Sequence, residues 1–188
     1  MIEVRQLEIP GLLEIVPRRY EDPRGFFSET FNQGEFAARG IDLSWIQDNH
    51  AYSGRRGILR GLHFQRPPFA QAKLIRVSRG SVLDVAVDIR AGSPTFGRWL
   101  ALELSADRWN QLYVPAGFAH GYLTLGEAEV LYKVSAPYAP QYEQTIRFDD
   151  PVIAVEWPLL AAELIVSDKD RHGGSLADAT GIFQWNGA

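Results

Sequence analysis

Residues 81–89 read SVLDVAVDI, and this stretch alternates strictly between two kinds of position. One face of an extended strand would carry the larger aliphatic side chains: Leu83, Val85, Val87 and Ile89. The other face would carry two carboxylates between small or branched residues: Val82, Asp84, Ala86 and Asp88. A period of two predicts a β-strand, here with one buried face.

Similar short runs lie on both sides of this strand, and turn sequences rich in glycine and proline separate them. The predicted strands are Leu12–Val16, Phe26–Phe31, Ser44–His50, Ile58–Phe64, Lys73–Val77, Trp99–Leu104, Gln111–Val114, Gly121–Leu125 and Val130–Val134. Many short strands at close spacing are typical of an antiparallel sandwich or barrel. No strand–helix–strand rhythm is present, so a parallel sheet is not expected.

Helix signals are few. The clearest predicts a helix from Gln33 to Arg39, with Asn32 as its cap and Gly40 at its end. From about Trp157 the sequence predicts turns or short helices that close the sandwich. We therefore expect an all-β protein with a few short helices, folded as one domain over residues 1–188, with its core in about 2–170 and a C-terminal extension, 171–188.

Composition excludes several classes of function. The net charge is -4 with both signs interleaved, which does not favour nucleic-acid binding. The chain has no cysteine, so disulfides and thiolate chemistry are ruled out. The N-terminus does not resemble a secretory signal, and no run of about 18 apolar residues predicts a membrane span. We expect a cytoplasmic protein.

His63 is the first candidate for chemistry, and it lies in the run Gly57–Gln65. In a regular strand Leu59, Gly61, His63 and Gln65 share one face, while Arg60 points to the other. Gly61 would leave open space beside the imidazole. His63 is then either a general base or a hydrogen-bonded histidine of the core.

His120 ends the sequence PAGFAH, whose Pro-x-Gly-x-x-His spacing is familiar from metal-binding jelly rolls of the cupin type. Those proteins also carry a His-x-His pair in an earlier strand. Here that place reads His63-Phe64-Gln65, so one ligand is missing. Two histidines and a glutamine are a poor ligand set, and we expect no catalytic metal.

Other candidates each have a structural alternative. Asp170, in the run Ser167–Asp170, would orient a histidine or simply belong to a solvated turn. Tyr132 would donate a proton or pack with its hydroxyl at a polar rim. Arg24 and Arg60 would clamp a phosphate or form surface ion pairs.

Taken together, these motifs closely resemble the dTDP-4-dehydrorhamnose 3,5-epimerase family, over about Ile2 to Asp170. The resemblance rests on their order along the chain: RGFFxE from Arg24, QDNH from Gln47, LRGLHFQ from Leu59, DVAVDIR from Asp84, SPTFG from Ser93, PxGFAHG from Pro115 and SDKD from Ser167. Each motif alone would be a weak signal, but the ordered set is specific.

The resemblance implies a cupin-type antiparallel jelly roll, a homodimer, no cofactor and a role in carbohydrate biosynthesis for bacterial surface polysaccharides. It matches His63 to the catalytic base, Asp170 to the carboxylate paired with it, and Tyr132 to the proton donor on the other face of the sugar. Lys73 and His120 match residues beside the reacting sugar. Substrate contacts are implied for Arg24, Glu29, Gln47, Asn49, Arg60, Tyr138, Glu143 and Lys169, with Arg24 and Glu29 reaching the neighbour's site.

The implied substrate is a dTDP-linked 4-keto-6-deoxysugar whose C3 and C5 are inverted by proton transfer. Its ketone acidifies both carbons, and Lys73 and His120 would stabilise the enolate oxygen. Two alternatives on the same scaffold stay open: an enzyme that inverts only C3 or only C5, and a sugar-binding jelly roll without catalysis. A metal-dependent cupin enzyme is disfavoured by the missing His-x-His pair.

Overall fold

A computed structural model describes residues 2–187, which form strands joined by short turns and a few single-turn or two-turn helices. The strands are β1 Ile2–Gln6, β2 Leu13–Pro17, β3 Tyr20–Asp22, β4 Gly25–Phe27, β5 Gln47–Ser53, β6 Ile58–Gln65, β7 Lys73–Arg79, β8 Ser81–Asp88, β9 Arg90–Ala91, β10 Trp99–Ser105, β11 Gln111–Val114, β12 Phe118–Thr124, β13 Ala128–Val134, β14 Glu143–Thr145, β15 Ile165–Val166 and β16 Phe183–Gln184. The helices are α1 Gln33–Ala37, α2 Asp168–Arg171 and α3 Leu176–Ala179, with 3₁₀ turns at Pro140–Tyr142 and Ala161–Glu163.

Two large, mainly antiparallel sheets make up most of the molecule, and β3–β4 and β9–β16 form two small two-stranded sheets. The first sheet has the strand order β1-β2-β11-β7-β13-β5, and the second has the order β10-β8-β12-β6-β14, with β15 added in parallel to β6. Neighbours in each sheet are often distant in sequence, as expected for a jelly roll. The predicted all-β, antiparallel architecture is confirmed.

The main core lies between the two sheets. Ile75 and Val77 of the first sheet and Val82 and Ala86 of the second belong to one buried cluster. Tyr122 is buried in this cluster and Tyr132 packs against it, so two phenol rings form one border of the core. The sandwich interior therefore changes from aliphatic to polar towards one end of the strands.

Strand β8 is buried on both faces, which corrects the prediction of a single buried face. Val85, Val87 and Ile89 do not face the sandwich interior but pack under the C-terminal segment, together with Leu176 and Ala179. The face that carries Asp84 and Asp88 points inward, and both aspartates are fully buried. Residues after 170 are thus part of the packed structure.

The predicted helix is confirmed with an earlier end. Asn32 caps α1, since its side chain accepts a hydrogen bond from the backbone N–H of Glu35, and the helix ends at Ala37 instead of Arg39. Each of the helices found in residues 2–187 is too short, or not apolar enough, to cross a membrane.

The observed strand boundaries differ most from the predicted ones in the first third of the chain. The run predicted as Phe26–Phe31 contributes only β4, which pairs with β3 in an isolated hairpin, and β5 begins at Gln47 instead of Ser44. The hairpin belongs to neither large sheet. Tyr20, Phe26 and Phe27 are exposed on it, Phe27 by 69%.

Candidate functional site

A groove of about 600 Å³ opens between the two sheets, at the end that β15 and α2 cover. Residues predicted for the site line it from both sheets and from α2: His63, Asp170, Tyr132, Lys73, Arg60, His120, Tyr138, Glu143 and Lys169. Sequence positions more than a hundred residues apart therefore meet in one cavity.

A bulge in β6 brings Arg60 and His63 to the same side. His63 pairs with His120 of β12 and Arg60 pairs with Tyr122, so β6 advances three residues where β12 advances two. Strict alternation would have placed the two side chains on opposite faces, and that prediction was wrong. The extra residue turns both of them into the groove, as bulges beside active sites often do.

Gly61 lies at this bulge, and its role differs from the predicted one. A Cβ atom on Gly61 would be 2.5 Å from the Cα of Gly121, so no open space surrounds it. Its φ of +134° also lies in a region that side chains other than glycine rarely adopt. Gly61 is required because two backbones come into close contact here, which fixes the position of His63.

His63 and Asp170 form a hydrogen-bonded pair, with 2.6 Å between His63 Nε2 and Asp170 Oδ1. The His63 side chain is 26% exposed to the groove, whereas that of Asp170 is 4% exposed. Burial opposes ionisation of Asp170, but the hydrogen bond and charge of His63 keep its pKa below the usual value. Ser167 caps α2 through the backbone N–H of Asp170 and so holds the carboxylate in place.

Lys73, on β7 of the opposite sheet, reaches across to the same histidine. Its Nζ donates a hydrogen bond of 3.3 Å to the backbone carbonyl of His63. Burial lowers the pKa of Lys73 to about 8, against the attraction of Asp84 and Glu143. At neutral pH the amine remains mostly a cation. Because it is shielded from water, its charge interacts more strongly with nearby groups than it would in solution.

His120 has a partner that sequence reasoning missed. Asp84 Oδ1 lies 2.8 Å from His120 Nε2, and both residues are buried. Burial lowers the pKa of His120, and the neighbouring Asp84 opposes this shift only in part. A signal was available in the sequence, because a carboxylate inside a buried, aliphatic strand is rare without a partner.

Two tyrosines share the groove wall. Tyr132 is partly exposed, and burial raises its pKa, so its phenol is protonated at neutral pH. Tyr122 is 5% exposed, and burial raises its pKa to about 12. The hydroxyl of Tyr122 is shielded and has no hydrogen-bond partner in residues 2–187, and the hydroxyl of Tyr138 is bound to Glu143 at the rim, so Tyr132 is the better placed of the three phenols to donate a proton.

The outer rim of the groove holds a chain of polar contacts. Glu143 accepts a hydrogen bond of 2.9 Å from the Tyr138 hydroxyl and forms an ion pair of 2.5 Å with Lys169. The Tyr138 backbone N–H donates to Gln47, which lies on β5 beside the groove. The ring of Tyr138 is exposed, as a stacking surface for a ligand would be.

Four predicted contact residues do not line the groove. Gln47 and Asn49 share a face of β5 with Ala51, which does line it, and Asn49 lines a neighbouring cavity to which Tyr132 also contributes. Arg24 and Glu29 lie on or after the β3–β4 hairpin, away from the groove of their own chain. Glu29 instead lines a separate cavity with Tyr20 and Phe27.

Metal ligands do not converge at this site. Within the described part of the chain, no three His, Asp or Glu side chains are placed to hold one ion. His63 and His120 lie opposite each other on β6 and β12, but each is hydrogen-bonded to its own aspartate. The donor set matches proton transfer better than metal binding.

Comparisons with known proteins agree with this geometry. Residues 6–178 match the family model described as dTDP-4-dehydrorhamnose 3,5-epimerase. The epimerase of that name from Pseudomonas aeruginosa is 48% identical over 95% of this chain and 98% of its own. The epimerase from Legionella pneumophila, solved in complex with dTDP-4-keto-L-rhamnose, is 37% identical with a TM-score of 0.92 over 100% of both chains. A 3'-monoepimerase from Streptomyces bikiniensis, in complex with dTDP-quinovose, is 39% identical over 92% of this chain and 87% of its own, with a TM-score of 0.85.

Proposed function

Since the chain belongs to the dTDP-4-dehydrorhamnose 3,5-epimerase family, we propose that its groove converts dTDP-4-dehydro-6-deoxy-D-glucose to dTDP-4-dehydro-L-rhamnose. The protein is an isomerase, and the reaction inverts C3 and C5 beside the C4 ketone. Only protons move in this conversion, so its chemistry requires neither a redox cofactor nor a metal.

One observation supports the proposal above all others: a base and an acid face each other across the groove. His63 is on β6 of the second sheet and Tyr132 is on β13 of the first. A sugar ring held between the sheets would have the imidazole on one face and the phenol on the other. Inversion requires this arrangement, because a single base returns a proton to the face from which it took it.

In the first step His63 removes the proton from C3 or C5. The imidazole becomes a cation, and the buried carboxylate of Asp170 stabilises that cation at 2.6 Å. Asp170 thereby also fixes the ring orientation, as in other His–Asp pairs. The low pKa of Asp170 keeps the carboxylate ionised through the cycle.

The electrons left behind form an enolate whose charge lies on the C4 oxygen. The ammonium of Lys73 is the cation nearest to this chemistry, because it contacts the backbone of His63 itself. A fixed cation in a water-poor groove stabilises such a charge far more than it would in solution. A lysine with a pKa of about 8 is still charged at neutral pH.

The proton then returns from Tyr132 on the opposite face. Burial raises the pKa of this phenol, so the phenol stays protonated until it donates its proton to the carbon of the enolate. General acids and bases of this kind typically accelerate a step by about 10²–10⁴-fold each. After the first inversion His63 carries the abstracted proton and Tyr132 is a phenolate. His63 must therefore lose a proton to water and Tyr132 regain one before the same steps can invert the second carbon.

The polar rim would hold the rest of the nucleotide sugar. Arg60 projects from the bulge and lines the groove, where its guanidinium suits a phosphate. Lys169 adds a second cation, and Glu143 holds it in position. These local charges attract an anionic ligand although the whole chain carries -4.

We also propose a homodimer in which the hairpin of one chain completes the groove of the other. Arg24 and Glu29 match substrate-contacting positions of the family, yet neither lines the groove of its own chain. The Arg24 side chain is 90% exposed, and its ion pair within residues 2–187 is with its neighbour Asp22. The hairpin around it exposes Tyr20, Phe26 and Phe27, an aromatic surface suited to contact with a partner.

Mixed dimers test this arrangement. We expect Arg24→Ala chains and His63→Ala chains, each nearly inactive alone, to regain activity when they are unfolded, mixed and refolded together. A mixed dimer with shared sites has one intact site, so about a quarter of wild-type activity should return with random pairing. Turnover is the measurement.

The control is a mixture of Lys73→Ala with His63→Ala chains, whose changes lie in one groove. Every site in that mixture lacks one of the two groups, so no activity should return. If the Arg24 mixture also stays inactive while mass spectrometry confirms mixed dimers, the sites are self-contained and the proposed sharing is wrong.

The proposed reaction is tested by incubation with dTDP-4-keto-6-deoxyglucose in D₂O. We expect deuterium at both C3 and C5, and a product whose NMR couplings report inversion of both carbons. Absence of exchange at either carbon in the folded wild-type protein would contradict the proposal.

A second candidate is inversion at C3 alone. It is favoured by the similarity to the Streptomyces bikiniensis 3'-monoepimerase, which has the same fold. The same D₂O experiment separates the two, because a monoepimerase leaves the configuration at C5 unchanged.

A further inference from the structure

Behind the His63–Asp170 pair lies a second His–Asp pair. His120 of β12 is directly opposite His63 of β6, and Asp84 of β8 binds His120 with 2.8 Å between Oδ1 and Nε2. The two pairs differ in burial. The His63 side chain is 26% exposed, whereas the side chains of His120 and Asp84 are 9% and 0% exposed.

Asp84 is in an unfavourable position for a residue with a purely structural role. Its carboxylate is fully buried, and Oδ2 has no hydrogen-bond partner among residues 2–187. A buried, half-satisfied carboxylate destabilises a fold relative to a well-packed apolar side chain. Among residues 2–187 its side-chain hydrogen bond is with His120, while its charge also attracts the ammonium of Lys73. The direct contact is therefore with the imidazole.

The contact determines which nitrogen of His120 carries a proton. An ionised carboxylate only accepts hydrogen bonds, so Nε2 must carry the hydrogen that Asp84 receives. Burial lowers the pKa of His120, and the positive charge of nearby Lys73 lowers it further, against the attraction of Asp84. A neutral ring with its hydrogen on Nε2 has a lone pair on Nδ1.

His120 lines the groove, and its Nδ1 makes no hydrogen bond to another residue in the described chain. A lone pair there repels an enolate oxygen. His120 is therefore unsuited to stabilise that oxygen, a role that the sequence had suggested for it together with Lys73. It is suited to accept a hydrogen bond from a hydroxyl.

We propose that Asp84 is a positioning residue that fixes His120 as a hydrogen-bond acceptor at Nδ1 for the C2 hydroxyl of the sugar. The inference rests on the proposed epimerase function and assigns a different task to each His–Asp pair. C2 keeps its configuration during the reaction, whereas C3 and C5 invert. A rigid acceptor can therefore hold the C2 hydroxyl throughout and keep the ring between His63 and Tyr132.

The first test reads the tautomer directly in the ligand-free protein and does not depend on activity. In ¹⁵N-histidine-labelled wild-type protein at neutral pH, two-bond ¹H–¹⁵N correlations should give His120 as the neutral ring with hydrogen on Nε2. The signals are assigned by their loss in His120→Gln. A cationic ring, or hydrogen on Nδ1, in the wild-type protein would overturn the proposal.

The second test uses Asp84→Asn, which removes the carboxylate charge. Its amide can either accept from Nε2 or donate to it, so the hydrogen of His120 is no longer confined to Nε2. We expect kcat/KM for the natural substrate to fall roughly tenfold or more, since about one hydrogen bond is lost. An analogue with hydrogen in place of the C2 hydroxyl should lose nothing further in this variant. Equal losses for both substrates would reject the C2 hydroxyl as the group that His120 binds.

Asp88→Asn is the matched control. Asp88 is equally buried on the same strand, but it binds Arg90, Ser93 and Thr95 outside the groove. Its loss should lower the thermal unfolding midpoint without any preference between the two substrates. The proposed epimerase function is judged separately, by exchange and inversion in the wild-type protein.

Discussion

His63→Ala is expected to abolish deuterium exchange at C3 and C5. Turnover should fall by about 10²–10⁴-fold, which is the usual contribution of a general base. The reason is that no other base in the groove is placed equally well: the other histidine of this cavity, His120, is bound to Asp84 and neutral through burial. Exchange is followed by NMR in D₂O, and circular dichroism confirms the fold.

Asp170→Asn should also lower deuterium exchange and turnover, but by less than His63→Ala. An asparagine oxygen can still accept the hydrogen of His63 Nε2, but it has no charge to stabilise the imidazolium. Asp168→Asn is the control on the same helix, because Asp168 is exposed and does not line the groove. Near-normal exchange in folded His63→Ala would show that another group is the base.

Tyr132→Phe is expected to separate proton removal from inversion. His63 would still take the proton and Lys73 would still stabilise the enolate, but the proton would return mainly from His63, on its original face. Deuterium should thus enter C3 and C5 at a substantial rate, while inverted product falls by about 10²-fold or more. Loss of one hydroxyl leaves the packing against the main core nearly unchanged.

Tyr122→Phe is the matched comparison, since it removes the other phenol of the groove wall. Its hydroxyl is shielded and unpartnered within residues 2–187, so inversion should continue. If inversion is lost in Tyr122→Phe and kept in Tyr132→Phe, the two phenols have been assigned the wrong way round. A parallel fall of exchange and inversion in Tyr132→Phe would indicate a packing role instead.

The kind of fold and most of the candidate site residues could be predicted from local patterns and motifs. Alternation in β8, β6 and β13 is a local property, because side chains of an extended chain must point to opposite sides. The cap of α1 is local as well, since Asn32 reaches the backbone only three residues ahead. The ordered motifs then identified His63, Asp170 and Tyr132 together, although nothing local relates them.

The way in which the candidate site residues meet depends on contacts between distant segments and could not be predicted. Arg60 and His63 share a side because β6 bulges where Gly61 lies against Gly121 of β12. These two glycines are sixty residues apart, so the alternation of residues along β6 alone could not predict the bulge. Both faces of β8 are buried because the C-terminal segment returns to cover one of them. The other face lies inside the sandwich, where β12 brings His120 to Asp84.

The hairpin is the last such case. Arg24 and the groove residues are equally recognisable as motifs, yet the hairpin stands apart from both sheets and its own chain's groove. Sequence patterns report what each residue prefers locally, whereas the register between strands and the docking of distant segments depend on packing over the whole chain. That packing leaves the side chain of His63 partly exposed to the groove and buries that of His120 behind it.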